Sequence, residues 1–172
     1  MKITLIVLAV LASIALLVAC VGWSLPVKHR ASRQATYTAT PEAVFDALTR
    51  VEDFPTWRSK VASVQLLDAV EGARSYRESG DDGNITYIVD EAVAGRRLVT
   101  RIADKTLPFG GRWTYEIAPS GRGTTLRITE DGEVYNPIFR FVSKFVLGHN
   151  STLDTYLTDL GRKLGDSAAV TN

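Results

Sequence analysis

His149 and Glu130 are the residues whose chemistry stands out first in this sequence. At helical spacing, position 149 lies near the stripe formed by Ile138, Val142, Phe145, Leu153, Tyr156 and Leu160, so its imidazole is expected to point into the same interior. There it would act as a general base or hydrogen-bond a ligand. Glu130 ends an alternating segment on the parity of Leu126 and Ile128. Desolvation at such a position raises a carboxyl pKa and would pair Glu130 with His149 as acid and base. The plainer readings are a histidine satisfied by a partner near Gly148 and a glutamate exposed at a rim. On that view Asp131 and Glu133 are solvated, or favour the positive end of a following helix.

Around these two groups the sequence places aromatic residues that suit an apolar pocket. Trp113 and Tyr115, with Tyr87 and Phe145, offer flat apolar faces and a hydroxyl handle, although plain core residues have the same pattern. Phe109-Gly110-Gly111 reads as a loop that either gates a cavity mouth or turns a strand. Trp57, after Pro55, reads as a core plug in preference to a lid. Other chemistries lack their residues. Two histidines and one cysteine are too few for a histidine- or cysteine-based zinc site, so no metal is expected. Asp81-Asp82-Gly83-Asn84 has turn chemistry without calcium-loop spacing. No nucleophile elbow, phosphate loop or dinucleotide fingerprint is present, and no cofactor is expected.

The elements that must position these residues follow from periodicity. Residues 136–164 read as a long closing helix, started by Asn136-Pro137. Gly148, Asn150 and Ser151 form a weak point where it kinks or splits, with Ser151 and Asp154 as a second capping box. Residues 34–38 alternate as a first strand, Thr40-Pro41-Glu42 caps a short helix, and Asp53-Phe54-Pro55-Thr56-Trp57 allows no more than a turn. Six strands follow, over 61–67, 73–78, 85–91, 97–102, 112–117 and 124–130, separated by turn residues. One face of the last three carries Leu98, Thr100, Ile102, Trp113, Tyr115, Ile117, Leu126, Ile128 and Glu130. The opposite, solvated face carries Val99, Arg101, Glu116 and Arg127, the last three as an alternating-charge ladder. The fold class is therefore α+β, an antiparallel sheet of about seven strands wrapped around a long C-terminal helix.

An apolar run over residues 3–23 precedes this domain, long enough at about 1.5 Å per residue for a hydrocarbon core of about 30 Å. Three readings stay open: a transmembrane anchor, a cleaved signal segment, and a lipoprotein signal with Cys20 as the acylated residue. Lys28, Arg30 and Arg33 against Lys2 place the domain on the cytoplasmic side if the run is an anchor, and a lipoprotein would place it outside. The organisation is residues 1–23 as anchor or signal, 24–32 as a basic linker, 33–165 as the folded domain and 166–172 as a flexible tail. The 20 Lys and Arg balance 19 Asp and Glu, without a basic stripe, so no nucleic-acid partner is expected.

Four motifs carry a family resemblance: Thr40-Pro41-Glu42-Ala43-Val44-Phe45, Asp53-Phe54-Pro55-Thr56-Trp57, Leu107-Pro108-Phe109-Gly110-Gly111-Arg112-Trp113 and Glu130-Asp131-Gly132-Glu133-Val134-Tyr135-Asn136-Pro137. With the element order, they resemble the START-like, birch-pollen-allergen-like superfamily (SRPBCC proteins), and within it the bacterial polyketide cyclase/dehydrase and lipid-transport group. The resemblance implies a helix-grip fold with a cavity for lipids, sterols, polyketides or other apolar molecules, and a bacterial inner-membrane location for an anchored form. It implies no particular reaction, because carriers and enzymes share the fold. The function expected is membrane-tethered binding of a lipid-like molecule. The alternatives are a cyclase, dehydrase or hydrolase using His149 and Glu130, and an interaction module without a cavity.

Overall fold

The computed structural model describes residues 2–121, 123–148 and 150–172, and of Leu147 the backbone only. Helix α1 (Lys2–Ser24) leads into strand β1 (Lys28–Tyr37), helix α2 (Pro41–Thr49) and a 3-10 turn (Val51–Thr56). Strands β2 (Val61–Val70), β3 (Ala73–Gly80), β4 (Gly83–Val93), β5 (Arg97–Ile102), β6 (Phe109–Ser120) and β7 (Gly123–Val134) follow. Helix α3 (Pro137–Val142), a π-helical turn (Ser143–Leu147) and helix α4 (Ser151–Lys163) close the chain. The strands form one antiparallel seven-stranded sheet in the order β1-β7-β6-β5-β4-β3-β2. Consecutive hairpins account for β2 to β7, and β1 closes on β7.

The alternation in β5 to β7 sets the inner face: Leu98, Tyr115, Ile117, Leu126 and Ile128 are buried. Against it lie Leu153, Tyr156, Leu157 and Leu160 of α4, whose spacing puts them on one helical stripe. Each fully buried leucine stabilises the packing by about 1.5–3 kcal/mol. Polar contacts fix the helix to the sheet. Tyr37 donates its hydroxyl to the Leu157 carbonyl at 2.9 Å, and the Arg33 Nε donates to Asp154 at 2.9 Å. Buried Asp159 accepts from the backbone N–H of Ser59 at 2.7 Å and from its hydroxyl at 2.8 Å, tying α4 to the chain after the 3-10 turn.

Several sequence expectations are corrected. The closing helix splits at the weak point marked in the sequence, and is not one long helix over 136–164. Asn136 caps α3 by accepting from the Ile138 and Phe139 amides, but the chain breaks at Gly148, whose φ of 73° and ψ of 146° are accessible essentially to glycine alone. Ser151 does not form a capping box; its hydroxyl donates to the Gly148 carbonyl at 3.4 Å. Because of the break, only the α4 half of the apolar stripe faces the core, while Ile138 and Phe145 are exposed. Strand β1 begins at Lys28, inside the segment read as linker, because Lys28 and Arg30 stand across from Glu133 and Asp131 and form ion pairs with them at 3.8 and 3.5 Å. Of the expected ladder of Arg101, Glu116 and Arg127, the Glu116–Arg127 pair stands directly across β6 and β7, but Arg97 and not Arg101 lies on the other side of Glu116. Arg101 lies opposite Arg112 and both donate to Asp90, while Glu116 accepts from Arg97. Val99, assigned to the solvated face, is buried. Residues 109–111 belong to β6 and not to a loop. The segment 166–172 folds back, with Thr171 and Gln34 exchanging backbone hydrogen bonds of 2.9 and 3.0 Å.

Helix α1 is long and apolar enough to cross a membrane, and its side chains are exposed almost throughout. Cys20, exposed on α1, is the one cysteine of the chain.

Candidate functional site

The site lies between the inner face of the sheet and the segment around the helix break. A cavity of about 260 Å³ is walled by Ile85, Tyr87 and Ile102 of the sheet, by Pro108 and Phe109, by Trp113, and by Phe139, Ser143 and Thr152 of the closing segment. Its lining is mostly apolar, with polar side chains on both sides, His29, Glu130 and Glu133 from the sheet and Ser143, Ser151 and Thr152 from the closing segment. A smaller hollow of about 50 Å³ adjoins it, and the two share Asp82, Ile85, Tyr87, Trp113 and Thr152. The larger is near the lower end of small-molecule pockets, about 300 Å³.

The polar part of the sheet wall is built by β1, β6 and β7. Trp113 and Glu130 are directly paired across the β6–β7 ladder, which sets the indole beside the Glu130 carboxyl. Burial pushes the Glu130 pKa up from 4.5 to about 7, and the neighbouring Trp113 indole offsets only part of that rise. His29 of β1 reaches the same carboxyl, its Nε2 lying 3.9 Å from Oε1. Both side chains are four-fifths buried or nearly so. Gly132 makes room for this arrangement, since a Cβ there would stand 2.4 Å from His29 Cε1 and 2.5 Å from Nε2. A carboxyl that titrates near neutrality beside an imidazole can donate a hydrogen bond to a ligand, accept one, or transfer a proton.

The smaller hollow has a different floor. Arg58 forms a close ion pair with Glu78, and its guanidinium lies over the rings of Tyr156 and Phe54, 4.7 and 4.9 Å from their centroids. Burial raises the Glu78 pKa, and the charge and hydrogen bond of Arg58 act in the opposite sense. Tyr76 and Tyr87 stack at 5.4 Å, and Trp113, Tyr115 and Tyr156 form a triangle with centroid separations of 5.7 to 6.2 Å. Burial raises all of these phenol pKa values, that of Tyr156 to about 12, so the hydroxyls remain neutral donors.

Of the residues expected from sequence, Glu130, Trp113 and Tyr87 meet at the larger cavity, and Tyr115 lines the smaller hollow. His149 lies outside the described residues. Phe145 is turned away: it is 56% exposed and packs on Phe141 at 4.9 Å, because the π-helical turn rotates it off the core stripe. Asp131 is solvated, as the plainer reading has it, and Glu133 is half-buried; both also pair with exposed cations of β1, Arg30 and Lys28. Trp57 is a buried core residue against Phe54 and Tyr156. Sequence reasoning missed His29, Arg58 and Glu78. The signal for His29 was present, since it shares the parity of Ala31, Ala35 and Tyr37, all buried. Arg58 lies outside any periodic element and gave no such signal.

Residues 28–158 match the family model described as polyketide cyclase / dehydrase and lipid transport. The chain belongs to this family. Its fold is that of the START superfamily, as solved structures bear out. A START superfamily protein from Mycobacterium smegmatis superposes with a TM-score of 0.65 at 17% identity, over 80% of this chain and 97% of that one. The Zhui aromatase/cyclase from Streptomyces gives 0.61 at 14% identity, over 80% and 94%. Norcoclaurine synthase from Thalictrum, solved as a point mutant with a transition-state analogue, gives 0.62 at 7% identity, again over 80% and 94%. At these identities the likeness concerns the fold alone. No curated protein matches the sequence.

Proposed function

We propose that this family member is a membrane-tethered binding protein for an apolar or amphipathic small molecule, lipid-like in character, held between the sheet and the closing helices. The observation that carries the reading is the cavity of about 260 Å³, apolar over most of its wall and polar at Glu130 and His29. Hydrocarbon buried there would contribute about 25 cal/mol per Å² of apolar area, while the carboxyl and imidazole orient a polar head. Tethering would come from α1, which meets the length and composition of a spanning helix. The cavity also speaks against a filled interaction module.

The test is native mass spectrometry of the full chain released from detergent, compared with Thr152→Trp, in which an indole is introduced where both hollows meet. A bound small molecule in the parent that is absent from the variant is the expected result. Two equally unliganded proteins would count against the proposal. The same spectra distinguish a tethered chain from a cleaved one, and from a form acylated at Cys20, by mass.

A second reading is favoured by one specific observation, the Glu130 carboxyl that titrates near neutrality within reach of His29. In that reading the cavity performs a cyclisation, dehydration or hydrolysis, with Glu130 as the acid or base and His29 beside it in addition to the sequence candidate His149. Relatives named as aromatase/cyclases are compatible with it. Turnover of the co-purified molecule that is lost in Glu130→Gln, with binding retained, would select the enzyme.

A further inference from the structure

The exposed apolar residues of the domain are concentrated where α1 meets the closing segment. Ile138, Phe139, Phe145 and Val146 of α3 and the π-helical turn are all more than half exposed, Val146 at 69%, and Trp23 at the end of α1 is exposed at 76%. The end of α1 and α3 are adjacent in space. Gly22 lies directly against Pro137, where a Cβ would fall 1.9 Å from the carbonyl oxygen, and Arg140 donates to the Leu25 carbonyl at 2.7 Å.

The length of α1 sets the depth of that junction. Its 23 residues span about 35 Å at 1.5 Å per residue, against a hydrocarbon core of about 30 Å. The last turn, with Trp23, therefore sits at the headgroup level, where tryptophan is favoured. Since α3 is docked on that turn, it lies at the same depth. Exposed Lys28 and Lys144 flank the patch, and the Lys144 ammonium lies 5.7 Å from the Phe145 ring centroid. A cation beside an apolar face is the arrangement of an interfacial helix next to anionic lipid. The same segment contributes Phe139, Ser143 and Gly148 to the cavity wall.

We propose that α3 and the π-helical turn lie in the headgroup region of the leaflet that receives the end of α1, so that the cavity opens toward lipid and not toward bulk water. This rests on α1 being a membrane anchor. The occupant of the apolar patch is the bilayer itself, and the split in the closing helix is what frees Phe145 and Val146 to enter it.

The test uses the full chain in a Cys20→Ser background, reconstituted in nanodiscs of phosphatidylcholine and phosphatidylglycerol with or without a spin-labelled lipid. Single cysteines at Leu11→Cys, Val146→Cys and Gln65→Cys carry an environment-sensitive fluorophore. Gln65 is exposed on β2, the sheet edge opposite β1. The expected result is a loss of emission on adding spin-labelled lipid at Leu11 and Val146 and none at Gln65. Quenching at Leu11 with Val146 behaving like Gln65 overturns the proposal and leaves the anchor standing. An unquenched Leu11 overturns both. Disulfide-linked dimers of the unlabelled Val146→Cys chain, together with no lipid quenching of the labelled one, also overturn it and assign the patch to a second copy.

Discussion

Trp113 and Glu130 stand opposite each other on β6 and β7, and both side chains line the cavity. The pairing places a titratable group in the wall of a mostly apolar space. A pocket of this kind binds amphipathic molecules by burying the chain and satisfying the head.

The first prediction concerns pH. Folding raises the Glu130 pKa to about 7, above the roughly 4.3 of an unfolded glutamate, so the protonated form is the one that folding favours. Its contribution is complete below about pH 4 and is lost as pH rises through about 7. Glu130→Gln removes that loss. In chemical denaturation the variant should be more stable than the parent above neutrality, by on the order of 2 kcal/mol, with the difference shrinking as pH falls below about 7 and gone by about pH 4. Parallel pH profiles for the two proteins would show that the carboxyl is not desolvated.

The second concerns the ion pair under the smaller hollow. Arg58 and Glu78 are both largely buried, so removing one partner leaves an uncompensated charge. Arg58→Met should cost about 3 kcal/mol in denaturant unfolding, and Arg58→Met with Glu78→Leu less than the single change. Additive losses would contradict a coupled pair.

The third isolates His29. Gly132→Ala introduces a methyl group 2.4 Å from the imidazole, which must shift from its place beside the Glu130 carboxyl. The expected readout is a shift of the His29 ring resonances in NMR, with little change in stability. Unchanged resonances would mean that the ring is not held against Gly132.

Much of this architecture was legible from residue order. The inner faces of β5, β6 and β7 followed from alternation because one side of the sheet is buried, and a one-residue slip would have exposed Leu126 and Ile128. Glu130 and Trp113 were found by the same parity. The split closing helix was only half visible: Gly148 marked the weak point, but the rotation that turns Phe145 outward depends on a π-helical turn that no local pattern announces. His29 was hidden by its charged neighbours. Lys28 and Arg30 read as a linker until the carboxylates of β7 are seen opposite them. Arg58 owes its place to Glu78, twenty positions away on a different element, and contacts of that kind leave no periodic trace.

A fourth prediction follows from the core. Leu157 and Leu160 are fully buried against the sheet, so Leu157→Ala or Leu160→Ala should lower unfolding stability by about 2–5 kcal/mol. Phe145→Ala, at an exposed position, should change it by less than about 0.5 kcal/mol. A large loss at Phe145 would place that ring in a core that the split helix does not give it.

The central claim is that an apolar molecule occupies the space between sheet and closing helices, and photo-crosslinking addresses it most directly. Full chain in nanodiscs would be irradiated with an acyl probe bearing a diazirine, and the labelled peptides mapped. Adducts on cavity residues such as Ile85, Trp113 and Thr152, abolished by Thr152→Trp while labelling of α1 persists, are the predicted result. Adducts confined to α1 in both proteins would contradict it.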